Sequence, residues 1–351
     1  MVRFLYISAL AFFIAGCGSS YIYKQPHNIN DGITAGTLAE AKIDSLAIAD
    51  MTEMILSDEY INVHSVLIAR YNKLVYEEYF NGEARDKPHF MASVGKSFAS
   101  AMVGIAIDRG YLKGVNEELL DLFEYSSMNN YDPRKEKITL KHVLTMTTGL
   151  ECGPRTKKES YCGYQVRFKI DPLKYLLELP LQANPGELYE YNDGTPIFAN
   201  AAPSIRSGIS PKVFQEDYLL NPMGIVYDNE VLGFTSRDML KFGLLYLNKG
   251  VWNGERLISE KWVEESTRVH VTDVNQYVDG YGYFWWISTY DVNGTKRRVF
   301  YAAGNGGQMI YCIPSLDMVV VTTGGNINQF SRELMAQPFI ILAKHILPAV
   351  K

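Results

Sequence analysis

The hydrophobic and polar positions of this chain fall into three regimes. In residues 37–56, Leu38, Ala41, Ile43, Leu46, Ile48, Met51 and Ile55 give a helical stripe and predict a helix. Residues 63–68 and 74–80 alternate instead and are rich in β-branched and aromatic side chains. With Tyr71-Asn72 between them, they predict a hairpin that ends at Asn81-Gly82. A second helical pattern (Phe98, Met102, Ile105, Ala106) runs from Ser93 to about Arg109 and stops at Gly110. Residues 111–230 form the second regime, with little strand signal. Short helices are predicted at 139–146, 172–178 and 211–220, and Thr195-Pro196 reads as a helix start with proline in its first turn. From residue 231 the pattern changes again. Thr235-Ser236-Arg237-Asp238 resembles a capping box opening a helix over 239–248, and 259–266 is another. Strand signals follow at 281–290, 297–303, 309–313 and 318–323, with turns at Asn293-Gly294 and 314–317, then a closing helix at 339–347. The predicted fold class is α+β. Residues 37–90 and 231–351 make an antiparallel sheet flanked by helices, and 91–230 are inserted as a mostly helical subdomain.

The N-terminus carries a different signal. Arg3 precedes an apolar run over 4–15, then Gly16-Cys17-Gly18-Ser19-Ser20, the layout of a secretory signal. The run is too short to span a bilayer comfortably. Ile14-Ala15-Gly16-Cys17 resembles a bacterial lipobox, in which the cysteine is lipidated and becomes the first mature residue. That predicts an exported protein of the cell envelope, anchored through lipid on Cys17, with 18–36 as a tether. Gly18 after the cysteine favours the periplasmic face of the outer membrane, where the cell has one. An ordinary signal peptide with an incidental cysteine is the alternative.

Composition narrows the function classes. The net charge of −5 gives no basic surplus for nucleic acid. The six histidines are scattered, and no metal-ligand spacing occurs; no cofactor is implied. Cys152 and Cys162 bracket a polar loop, and an exported location permits a disulfide between them. Cys312, in an apolar strand-like run, is predicted to be a buried free thiol.

The candidate chemistry starts at Ser93-Val94-Gly95-Lys96, an S-x-x-K at the head of the second predicted helix. A serine and a lysine three apart share one helix face. A lysine amine can take the serine proton when neutral, a state favoured by desolvation and by a helix N-terminus. Such a hydrolase also needs a second proton-handling group and an oxyanion hole. Tyr191, where a turn leads into the Thr195 helix, is the candidate for the first. The stretch Ala303-Gly304-Asn305-Gly306-Gly307-Gln308, between two predicted strands, is small enough for substrate to approach its backbone. One N–H there, with that of Ser93, could bind an oxyanion. A capping serine, a solvated lysine and a glycine-rich hairpin are the plain alternatives for these segments.

Taken in order, Ser93-Val94-Gly95-Lys96, the segment 144–150, Tyr191-Asn192-Asp193, the helix near 234–247, the aromatic run 280–286 and the block 304–308 resemble one family. It is that of the serine β-lactamase-related hydrolases of the class C β-lactamase and penicillin-binding-protein fold. The 6-aminohexanoate-dimer hydrolase and esterase branch is the nearer likeness. The resemblance covers about residues 60–345. It implies Ser93 as the acylated nucleophile, Lys96 as its base, Tyr191 as the catalytic tyrosine, and the N–H groups of Ser93 and Asn305 as the oxyanion hole. Asp193 and Gly304 would meet substrate, and Tyr281, Tyr283, Trp285 and Trp286 would offer an aromatic wall, unless alternation buries half of them. Two departures stand out. The family's Tyr-x-Asn ends here in Asp193, whose charge favours a protonated Lys96. Ala302 aligns where penicillin-recognising members carry Lys or His, which argues against penicillins. The reading is a serine hydrolase acting on a small ester or amide. Its rivals are a β-lactamase or DD-peptidase, and a catalytically poor binding or sensing lipoprotein.

Overall fold

The computed structural model describes residues 21–125 and 128–351. The lipobox cysteine, Cys17, lies outside them. Within the described residues the strands of the main sheet are β1 (Thr34–Ala35), β2 (Val63–Arg70), β3 (Lys73–Tyr79), β4 (Gly280–Tyr281), β5 (Trp286–Val292), β6 (Thr295–Gly304), β7 (Gln308–Ile313) and β8 (Met318–Gly324). They form one sheet in the order β1-β3-β2-β8-β7-β6-β5-β4. The sheet is antiparallel throughout except that β1 pairs parallel with β3. Chain ends meet in the middle of the sheet, where β8 pairs with β2.

Alternation decides which residues face which layer. Val66, Ile68 and Val320 pack on one face, with Ile48 and Met51 of α1 (Ser45–Leu56) and Leu342 and Ile346 near the C-terminus. Leu67, Ala69, Val319 and Val321 point the other way, into the larger core. There they meet α2 (Gly95–Asp108), α4 (Ser236–Leu247) and the inserted helices, among them α3 (Pro196–Ser207). A Cβ on Gly243 of α4 would lie 2.5 Å from Val319, so glycine lets this helix sit down on the sheet. Each fully buried Leu, Ile or Val here contributes about 1.5–3 kcal/mol. No helix among the described residues is long and apolar enough to cross a membrane.

Three elements differ from the pattern. Residues 37–43 form turns ahead of α1, because Lys42 has φ +52° and Ile43 bridges to Val350. Asp44 then caps the helix at Leu46 N. The stretch 281–290 is broken: Gly282 N bonds Trp285 O at 2.7 Å and Phe284 has φ +62°, so two strands flank a tight bend. Residues 21–36 are not a free tether over their described part. Tyr23 donates to Val75 O, Asp31 pairs with Arg237, and β1 lies on β3. Hydrogen bonds and a buried ion pair outweigh the chain entropy that a polar composition alone suggests.

Candidate active site

Ser93 sits in a 3-10 turn, Ala92–Val94, on which α2 is stacked directly. Ala92 has φ +48°, a left-handed conformation that costs a non-glycine residue about 1–2 kcal/mol. The strain is borne because the end of β6 closes over the turn. A Cβ on Gly304 would lie 2.5 Å from Met91 O and 3.2 Å from Ala92 Cβ. Gly304 therefore makes room for the serine turn. Lys96, one turn on, donates from Nζ to Ser93 Oγ at 2.9 Å. The spacing of three residues brings the pair together at the N-terminal end of α2.

Asp193 completes the lysine's surroundings. Lys96 Nζ donates to its Oδ1 at 2.7 Å. Its Oδ2 accepts from Arg155 Nη2 at 2.8 Å and Tyr161 OH at 2.9 Å, and its own N–H donates to Tyr161 OH. Burial opposes ionisation of this carboxyl, but the Lys96 and Arg155 charges and the Lys96 and Tyr161 hydrogen bonds hold it below the usual range. Burial and the Asp193 charge both push the Tyr161 phenol up, so it stays a donor. The position is fixed from behind. Asn192, buried, accepts from Gly194 N and Thr195 N and donates to Glu190 O. Cys152 and Cys162 are joined in a disulfide, and a Cβ on Gly194 would lie 2.3 Å from Cys162 Sγ. The bridged loop thus rests on the Asp193 turn.

Neither Arg155 nor Tyr161 was marked by a motif. Their only signal was their place between the two bridged cysteines. Tyr191 comes to Lys96 by its ring: Nζ lies 4.8 Å from the ring centroid, and Arg155 Cζ 5.0 Å. No hydrogen bond from its hydroxyl to Ser93 or Lys96 occurs among the described residues, which departs from the phenol relay that the resemblance implies.

Asn305 lies opposite Ser93, in the turn between β6 and β7. Gly306 and Gly307 take φ +94° and +101°, values that favour glycine. Buried Gln308 donates to Asn305 O at 3.2 Å and Gly324 O at 2.7 Å and accepts from Gly324 N. Asn328 N donates to Asn305 Oδ1 at 2.8 Å. The turn is held on both sides, and Asn305 lines the cleft.

Ser93, Lys96, Asp193 and Asn305 line one cavity of about 990 Å³ between sheet and inserted helices. That volume suits a small organic substrate. Trp285 is corrected. It is fully buried among Phe242, Tyr246 and Phe300, because the 282–285 bend turns it into the core. Tyr281 and Tyr283 are buried as well; Trp286 is half-buried and packs on Tyr191. Ala302 is buried too, so nothing cationic projects from its position. Cys312 is a buried free thiol. Among the described residues no group of three or more His, Cys, Asp or Glu side chains is placed to hold a metal ion.

The part of the chain that holds this site matches one protein family. The beta-lactamase family model matches residues 58–226, from the first hairpin through the Ser93 turn and Asp193 to the end of the insertion. The chain carries a beta-lactamase family domain. With the domain comes the enzyme class, a serine hydrolase of esterase or amidase type. The 6-aminohexanoate-dimer hydrolase of Paenarthrobacter ureafaciens is 24% identical over 290 residues, covering 73% of this chain and 70% of that one. Among solved structures, the octameric penicillin-binding protein homologue from Pyrococcus abyssi has a TM-score of 0.63 at 16% identity, covering 86% of this chain and 77% of its own. A hydrolase with promiscuous acyltransferase activity has a TM-score of 0.64 at 14% identity, covering 87% of this chain and 98% of its own. These structural likenesses establish the fold of the beta-lactamase domain and its sheet.

Proposed function

We propose that this beta-lactamase family protein hydrolyses a small carboxylic ester or amide through an acyl-enzyme on Ser93. The observation that carries the reading is the 2.9 Å contact of Lys96 Nζ with Ser93 Oγ on a strained turn facing the cavity. Ser93 Oγ attacks the substrate carbonyl while its proton passes to Lys96 as a neutral amine. The developing oxyanion is met by the backbone N–H groups of Ser93 and Asn305. Collapse breaks the bond to the leaving oxygen or nitrogen, to which Lys96 returns the proton. Water then repeats the sequence on the acyl-enzyme and frees the acid. Asp193 opposes the first step, since its carboxylate stabilises a Lys96 ammonium. Arg155 and Tyr161 draw on the same carboxylate and weaken that hold.

The buried Ala302 speaks against β-lactams as good substrates. Export and lipidation of Cys17 belong to the same proposal, supported by the lipobox and by the Cys152–Cys162 bridge, which suits an oxidising compartment. Hydrolysis of p-nitrophenyl esters by residues 18–351 tests the catalytic reading. Turnover should fall by about 10⁴-fold or more in Ser93→Ala, with a Ser93 acyl adduct seen by intact mass in the parent protein. Undiminished turnover in Ser93→Ala would overturn it, and efficient cephalosporin hydrolysis would return the β-lactamase reading. Palmitate incorporation lost in Cys17→Ala tests the anchor.

A further inference from the structure

The cavity has the opposite sign to the protein. The chain carries a net charge of −5, yet five cationic side chains line the cavity: Lys96, Arg155, Lys158, Arg167 and Lys212. Only Asp193 and Glu216 answer them there. Lys96 and Arg155 share Asp193, and Lys212 lies 3.7 Å from Glu216. Two cations are left without a carboxylate partner among the described residues. Lys158, from the bridged loop, rests its ammonium 5.6 Å from the Tyr164 ring centroid. Arg167, from the 3-10 turn Val166–Phe168 just beyond, has neither an ion pair nor a side-chain hydrogen bond among the described residues. Met102, Ile197, Pro203 and Phe214 add apolar surface to the same cavity.

From this we infer that the cavity selects substrates with an apolar chain ending in a carboxylate, held by Lys158 and Arg167, and rejects chains ending in an ammonium group. The inference rests on the hydrolase reading for its turnover test only. Exposed ion pairs are weak, so two cations acting on one carboxylate give roughly tenfold selectivity, screened by salt. The site differs in kind from a cation at position 302, which would stand beside the reacting carbonyl. Here the charge comes from Lys158 and Arg167, outside the serine turn and the β6–β7 turn, and reads the end of a chain.

Three esters of matched length test it: p-nitrophenyl heptanoate, the p-nitrophenyl half-ester of pimelate and p-nitrophenyl 6-aminohexanoate. At low ionic strength kcat/KM should fall in the order half-ester, neutral ester, ammonium ester, with about tenfold between the first two. The spread should collapse in 0.5 M NaCl and reverse in the Lys158→Glu, Arg167→Glu double variant. Lys296→Glu, an exposed charge reversal at the far end of the β5–β6 hairpin, should leave the order intact. An equal rate for all three esters, or an order indifferent to the double variant, overturns the inference. Calorimetry of pimelate with Ser93→Ala separates it from the catalytic reading. Binding that is lost in the added double variant supports the site even if no ester is turned over. No binding in Ser93→Ala, with no ester preference, removes it.

Discussion

Two carboxylates in this molecule are each shared between two cations, and they do different work. Glu77 of β3 lies between Arg237 Nη2 at 2.7 Å and Arg85 Nε at 3.0 Å, with Asp31 taking the other side of Arg237. The Glu77 and Arg237 side chains are 1% and 3% exposed. Asp193 lies between Lys96 and Arg155 at similar distances, but it is 36% exposed and Arg155 48%. In both, burial opposes ionisation and the cations outweigh it. The buried cluster joins three chain segments and does not line the Ser93 cavity. The open one stands beside a serine hydroxyl in a cavity that admits solvent and substrate. Charge pairing alone therefore does not mark a site. The marks are a cavity, an adjacent nucleophile, and partners loose enough to exchange.

The comparison breaks first at Arg237. Arg237→Met strands Glu77 in the core and should cost about 3–5 kcal/mol in urea unfolding. Arg155→Met should cost less than about 1 kcal/mol while still changing the pH dependence of turnover. Equal losses would erase the distinction. Next in size, Asp193→Asn removes the charge that holds the Lys96 proton and frees the Arg155 charge. At neutral pH kcat/KM should rise about tenfold, and the acid limb of its pH profile should move to lower pH. A loss of activity with an unmoved limb would make Asp193 a positioning group instead.

Acid sharpens the contrast further. Burial holds His64 and His89, 2.8 Å apart, below their ordinary value of 6.5. The unfolded chain then binds more protons once pH falls through about 6.5, so Tm should decline from there. The Glu77 carboxyl is held below its ordinary 4.5, so its contribution is present above that pH and lost beneath it. A Tm flat from pH 7 to 5 would contradict the histidine account. The smallest effect belongs to Tyr191→Phe, which keeps the ring under Lys96 and should retain activity within about threefold; Tyr191→Ala should lose more. A large loss in the phenylalanine variant would restore the hydroxyl to the proton path.

Much of this was legible before any coordinates. Period-two alternation located β2 and β3, and strand-like runs bounded by turns located β6–β8. The Ser93–Lys96 pair was legible because a separation of three is local on a helix. Arg155 and Tyr161 were not, since they reach Asp193 across 38 and 32 residues through a loop whose course is set by a disulfide and by packing. Trp285 misled for a related reason. Alternation holds only while a strand continues, and at Gly282 the backbone turns back on itself; Ser97 Oγ then fastens the bend by donating to Phe284 O. The packing of residues 21–36 was hidden because polar composition does not report a buried partner such as Arg237.

The sheet has a final consequence for how the molecule behaves in company. Its outermost strands, β1 and β4, are two residues long at either margin. A long bare margin is a template on which a second chain can add strands, and short margins deny it that template. Crowded molecules therefore collide at these margins without pairing strand to strand.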